Sequence, residues 1–241
     1  QLHAIKVFRF RYTYETHREY CLNISNEIYI ATSLKHENII RMVDVLEENG
    51  RLYQVMEYCP YDLFTVFEKL SPTDSQVKQY FVELVHGVAY LHHRGVAHRD
   101  LKLENLCIDQ QGHLKIIDFE FATLFRSSSN SKETHVTGVF GSNTYIAPEV
   151  WARDSYDPSK DDVWAVGILF VGMITRKFPW QRAIPDDPSF RLFLESWESI
   201  RLFDYCPPES IPLLKRLLEV EPDHRATIQD ILCDPWFQSL E

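Results

Sequence analysis

Glycine is scarce in this sequence, with 8 in 241 residues, and the first of them is Gly50. The stretch ahead of Gly50 therefore holds no glycine-rich loop whose backbone N–H groups could cradle phosphates. Cysteine is sparse as well. Cys21, Cys59, Cys107, Cys206 and Cys233 are scattered, odd in number and never in a Cys-x-x-Cys pair. That argues against a disulfide framework and a structural zinc site, and it fits a reducing compartment. Basic residues are in the minority, with 25 Lys and Arg against 35 Asp and Glu, for a net charge of −10. A surface this acidic repels phosphate backbones and anionic lipid, so nucleic acid is not an expected partner, whereas basic peptides are. Long apolar runs are missing too: the most apolar stretch, Val163 to Thr175, is bracketed by Asp161, Asp162, Arg176 and Lys177. A bilayer span needs about 20 apolar residues, so this stretch reads as a buried core helix and no membrane insertion is expected. Lys6 and Arg9 interrupt the only early apolar run, so no secretory signal is read and the expected location is cytoplasmic.

What the sequence does have is the composition of a globular chain, 45% apolar and 25% charged. Its length suits one large domain or two lobes. The first quarter is strand-rich. His3 to Phe10 alternates, with Ala4, Lys6 and Phe8 on one face. Ile24, Ile28 and Ala31 then recur at helical spacing, with Glu27 beside the stripe. Two strand-like runs, Arg41 to Leu46 and Leu52 to Glu57, flank a turn at Asn49-Gly50. From Tyr61 the pattern becomes helical. Val77, Tyr80, Phe81, Leu84, Val88 and Leu91 form one long apolar face, and further helices are expected near 161–176, 209–219 and 227–232. A small strand-rich half followed by a larger helical one implies an α+β fold of two lobes with a ligand cleft between them.

Between the halves runs Ala97-His98-Arg99-Asp100-Leu101-Lys102-Leu103-Glu104-Asn105, followed by Ile117-Asp118-Phe119-Glu120 and then Ala147-Pro148-Glu149. Singly, each Asp or Asn reads as a turn residue. Together, at these spacings, they resemble the eukaryotic serine/threonine protein kinases, and the resemblance covers residues 1–241. It implies a protein-kinase-like fold with a truncated strand-rich N-lobe, 1–58, lacking the glycine-rich loop, and a larger helical C-lobe, 59–241. It also implies ATP and Mg2+ as cofactors and a protein hydroxyl as acceptor. Asp100 would orient that hydroxyl and take its proton, and Lys102 would stabilise charge on the transferred phosphoryl group. Asn105 and Asp118 would supply the hard oxygen ligands that magnesium prefers.

By the same resemblance Lys6 holds the nucleotide phosphates and Glu27 is its helix partner, while strand alternation puts Ala4 on the face of Lys6 and so against adenine. Met56, Glu57 and Cys59 belong to a hinge whose backbone meets the adenine edge, and Leu106 packs beneath the base. Scaffold roles fall to His98 packed on Phe119, to a buried Glu149–Arg225 ion pair, and to Asp162 bonded to the catalytic-loop backbone. His92, His93 and His98 lack the spacing of a zinc motif and are read as ordinary surface or core histidines. Arg99 beside Asp100 implies an activation segment that a phosphate can order, with Thr137 and Thr134 as candidate acceptors and the run Ser127 to Ser131 next. Glu104 points to a basic residue near the target hydroxyl.

Lys102 and Ser142 are typical of the serine/threonine branch. The strings Val55-Met56-Glu57-Tyr58-Cys59-Pro60, Tyr156-Asp157-Pro158 and Phe178-Pro179-Trp180 resemble the fungal halotolerance and nitrogen permease reactivator kinases. That subgroup implies control of plasma-membrane transporters from the cytoplasm. Two departures stand out. No glycine-rich lid precedes Lys6, as though the chain were a fragment, and Glu120 stands where the family has glycine. Glu120 either points to solvent or adds a carboxylate beside the metal and weakens binding. A kinase-like binding module with impaired catalysis is therefore the alternative to an active enzyme.

Overall fold

The computed structural model describes residues 2–126 and 134–241. The smaller half opens with β1 (His3–Val7), followed by α1 (His17–Ser33), β2 (Met42–Glu48) and β3 (Arg51–Glu57). The three strands form one antiparallel sheet in the order β1-β3-β2. Asn49 and Gly50, with φ of 54° and 73°, make the two-residue turn between β2 and β3. Two left-handed residues in succession match the right-handed twist of the strands they join, which is why Asn-Gly was legible as a turn. Ala4 lies opposite Met56 and Lys6 opposite Gln54, so the even-numbered residues of β1 share the inward face with those of β3.

Thr16 caps α1. Its hydroxyl accepts from Glu19 N, and the Glu19 carboxylate accepts from Thr16 N. The buried side chains are Ile24, Glu27, Ile30 and Ala31, whereas Ile28 is only half-buried. The apolar spacing pointed to Ile28. The helix is instead rolled so that Glu27 faces inward, and at 100° per residue this carries Ile28 to the margin and brings Ile30 in.

The larger half continues with β4 (Tyr61–Asp62), α2 (Leu63–Thr65) running into a π turn, and the long α3 (Asp74–His93). The expected apolar face of α3 is buried along its length, each large side chain contributing about 1.5–3 kcal/mol. Four short strands then frame two loops: β5 (Val96–Ala97), β6 (Leu106–Ile108), β7 (Leu114–Ile116) and β8 (Thr123–Leu124). Because β5 pairs with β8 and β6 with β7, loops 98–105 and 117–122 leave neighbouring strand ends and lie side by side. Ile116 N donates to Asn38 O at 2.8 Å and Ile40 N to Ile116 O at 3.0 Å, which joins the two halves through backbone.

After α4 (Pro148–Ala152) comes α5 (Pro158–Thr175), buried on every side from Asp161 to Met173. Among the described residues, no helix is long and apolar enough to cross a membrane. The chain closes with α6 (Pro188–Glu195), α7 (Ile211–Leu217), α8 (Ile228–Leu232) and α9 (Pro235–Gln238). The expected helix at 209–219 begins as a 3-10 turn, Pro208–Ser210, and α6 was not expected at all. Glu149 and Arg225 meet in a bidentate pair at 2.6 and 2.8 Å, both buried, tying α4 to the segment before α8.

Candidate active site

Loop 98–105 is held from beneath by α5. Asp162 Oδ2 accepts from His98 N, its Oδ1 accepts from Arg99 N, both at 2.8 Å, and the His92 ring lies 2.8 Å from Oδ2. His98 Nε2 contacts Ile117 O at 2.9 Å, and its ring packs on Phe119 with centroids 5.3 Å apart. His92 and His98 are thus absorbed by a carboxylate and a carbonyl. This support fixes Arg99 at φ +66°, a conformation that costs a non-glycine residue about 1–3 kcal/mol and persists only where the surroundings over-determine it.

On that base stands a compact polar cluster. Asp100 is 7% exposed. Its Oδ1 accepts from Ser142 Oγ at 3.0 Å, and its Oδ2 accepts from Lys102 Nζ at 2.8 Å and Asn105 Nδ2 at 3.0 Å. Lys102 also donates to Ser142 Oγ at 3.1 Å. Ser142 was legible as a branch marker, but its bond to Asp100 was not, since 42 positions separate them and no sequence periodicity links them. Gly141 makes the approach possible: at φ +97°, any Cβ there would sit 2.5 Å from Arg99 O.

The second cluster spans the two halves. Lys6 Nζ donates to Glu27 Oε1 at 2.6 Å and to Asp118 Oδ1 at 2.7 Å. Burial opposes the charge on Lys6, yet the two carboxylates more than offset it and its pKa lies above the ordinary value. Burial dominates at Glu27 and raises its pKa. Asp118 is also pushed up by burial, but its side chain is 34% exposed and the Lys6 charge wins, leaving it below the usual carboxylate range. Asp118 itself sits at φ +65°. The clusters are adjacent, because Ile117 N donates to Asn105 O at 2.9 Å.

The donor chemistry suits magnesium. The Asn105 amide nitrogen is committed to Asp100, so its oxygen is turned away, and among the described residues no hydrogen bond reaches it or Asp118 Oδ2. No three His, Cys, Asp or Glu side chains cluster as a metal cage among the described residues. Two hard oxygens, with water and phosphate completing the shell, are what Mg2+ accepts.

Around these clusters, Ala4 and Met56 are half-buried neighbours and Leu106 is fully buried. Glu57 uses its carboxylate structurally, accepting from Arg41 N at 2.8 Å. The half-buried Cys59 thiol is pushed up to about 12 by burial, which disfavours its thiolate. Glu120 is not free in solvent: Arg9 Nε donates to its Oε1 at 3.0 Å. Its φ is not in the left-handed region either, since that conformation falls on Asp118. Thr137 and Thr134 are exposed, and Ser127 to Ser131 lie outside the described residues.

A family model described as the protein kinase domain matches residues 1–237. The chain is 45% identical over 193 residues to the serine/threonine-protein kinase oca2 of Schizosaccharomyces pombe, an alignment covering 80% of this chain and 30% of that protein. It is 33% identical to the nitrogen permease reactivator protein of Saccharomyces cerevisiae, across 100% of this chain and 36% of that protein. It is 34% identical to the serine/threonine-protein kinase HAL4/SAT4 of the same yeast, across 100% and 41%. The chain thus spans well under half the length of these relatives. With a matching family model over nearly all of its residues, the chain belongs to the protein kinase family, among the fungal serine/threonine kinases that these relatives represent.

Proposed function

We propose that the chain is the catalytic domain of an ATP-dependent serine/threonine protein kinase, moving the γ-phosphoryl group of ATP to a protein hydroxyl. The observation that carries this reading is the Asp100–Lys102–Asn105–Ser142 cluster standing beside the Lys6–Glu27–Asp118 cluster. Phosphoryl transfer is mostly a matter of positioning and charge stabilisation, and the two clusters divide that work. Lys6, pre-set by Glu27, presents an ammonium to the phosphates. Asn105 and Asp118 would hold magnesium, which supplies charge neutralisation at the phosphate oxygens. Asp100 orients the acceptor hydroxyl and takes its proton. Lys102, hydrogen-bonded to both Asp100 and Ser142, keeps a positive charge where the phosphoryl oxygens pass. Ala4, Met56 and Leu106 offer apolar contact to adenine, and the backbone of Glu57 and Cys59 offers its hydrogen-bonding edge.

Exposed Glu104, on the catalytic loop of an acidic protein, favours acceptors with a basic residue near the target hydroxyl. Arg99 lies over the Phe140 ring at 4.6 Å and donates to Tyr156 Oη at 2.9 Å, with no carboxylate partner among the described residues. Its charge suits a phosphoryl group on Thr137 or Thr134. Plasma-membrane transporters, reached from the cytoplasm, are the regulated class we propose, and the permease in the name of one relative supports the transporter part of that reading.

The test is transfer of labelled phosphate from ATP to a hydroxyl-bearing basic peptide. Transfer that falls about 10²–10⁴-fold in Asp100→Asn is the expected result. Wild-type chain that transfers nothing to peptide or to itself, and gains no thermal stability from magnesium and ATP, would leave a binding module instead.

A further inference from the structure

Glu120 occupies a position where the family has glycine, and its surroundings give it a job. Arg9, in the connection after β1, donates through Nε to Glu120 Oε1 at 3.0 Å. Its other two nitrogens grip Glu15, at 2.8 and 3.0 Å. Glu15 is 7% exposed and also accepts from Asn23 Nδ2 of α1 at 2.9 Å. The Arg9 guanidinium stacks over the Tyr12 ring at 4.1 Å, and Tyr20 Oη of α1 donates to Arg9 O at 2.8 Å. One turn beyond Asn23 on α1, Asn26 Nδ2 donates to Ala122 O at 3.1 Å. Segment 120–122 is therefore hooked to α1 at two places, through Arg9 to Glu120 and through Asn26 to Ala122.

The consequence lies at the far ends of these two elements. The next residue of α1 after Asn26 is Glu27, and the hooked segment begins two residues after Asp118. Those are the two carboxylates that converge on Lys6. We propose that Glu120 is a positioning residue: through Arg9 it latches the segment beginning at Asp118 onto α1, so that Asp118 and Glu27 keep their places on Lys6 together.

An isolated surface ion pair is worth little. This one is not isolated, because Arg9 is shared by two carboxylates and held by two tyrosines, and networks with shared partners are cooperative. A glycine at 120 would take one of the two carboxylates from Arg9 and leave the segment hooked only by Asn26. The latch itself stands on geometry; what it serves rests on the kinase reading above.

The latch is tested on the nucleotide-free chain by amide hydrogen exchange in wild type, Glu120→Gln, Arg9→Gln and the double variant. Glu120→Gln is expected to speed exchange about fivefold in 118–122 and in the first turns of α1, leaving α7 unchanged, and to add nothing in the Arg9→Gln background. Exchange that is unchanged in Glu120→Gln, or effects that add in the double variant, would overturn the latch. A second measurement keeps the competing reading in view. The latch predicts that Glu120→Gln binds magnesium and ATP more weakly, and equal or tighter binding contradicts it. Should the wild type bind no nucleotide, the kinase reading fails while the exchange comparison still decides the latch.

Discussion

Lys6 of β1 and Glu27 of α1 meet at 2.6 Å across the face of the small sheet, and the helix is rolled to make them meet. Glu27 is nearly inaccessible, so its charge is tolerable only because the ammonium answers it. Glu27→Gln keeps the shape and removes that charge. A charge-assisted bond is worth about 1.5–3 kcal/mol, so the KM for ATP is expected to rise roughly tenfold or more. Steady-state kinetics with varied ATP check this, and an unchanged KM would mean that Glu27 does not pre-set Lys6.

The Glu149–Arg225 pair is a different kind of ion pair, fully enclosed and bidentate. Removing one partner strands the other charge in the core. Glu149→Ala is expected to lower unfolding stability by about 3–5 kcal/mol, read from the shift of the urea midpoint.

Gly141→Ala tests how closely Ser142 must approach loop 98–105. The added Cβ would meet Arg99 O at 2.5 Å, with φ at +97° adding strain, so the segment must retreat from Asp100. Phosphate transfer is expected to fall at least about tenfold, with a destabilisation of about 1–3 kcal/mol from the left-handed backbone. Transfer at wild-type rate would show that the Ser142–Asp100 bond is dispensable.

Acid should loosen the Arg9 hub. The Arg9 hydrogen bonds, with help from Asn23 and the Tyr12 N–H, hold the Glu15 carboxyl down to about 2 from an ordinary 4.5. A carboxylate depressed by folding contributes stability that is present above its unfolded pKa and is lost as pH falls through the folded one. The stability gap between wild type and Glu15→Gln, followed by denaturant midpoint, is expected to be full above about pH 4.5 and to close toward about pH 2. A gap that stays constant over this range would remove Glu15 from the hub.

Legibility followed locality. Asp100, Lys102 and Asn105 share one short loop, so a single local motif carries the resemblance that names all three as candidates. Ala4 and Lys6 were tied by strand alternation, and the Asn-Gly turn between β2 and β3 is a matter of backbone chemistry. The Arg9–Glu120 bond joins residues 111 positions apart, and nothing periodic connects them. For that reason the two expectations held for Glu120, solvent or metal, both missed its partner. In α1 the two sequence signals differed: apolar spacing named Ile28, whereas the resemblance set Glu27 against Lys6, and it is Glu27 that is buried while Ile28 lies at the margin. By contrast, α6 has a purely local start signal, an Asp187 cap followed by Pro188 at the first helical position.

Calorimetric titration of the chain with magnesium and ATP, alongside Lys6→Met and Asp118→Asn, bears most directly on the claim that the two clusters form one nucleotide site. One equivalent bound by the wild type, weakened at least about tenfold in both variants, is the result this account predicts. Binding that is absent in the wild type, or indifferent to both substitutions, would contradict it.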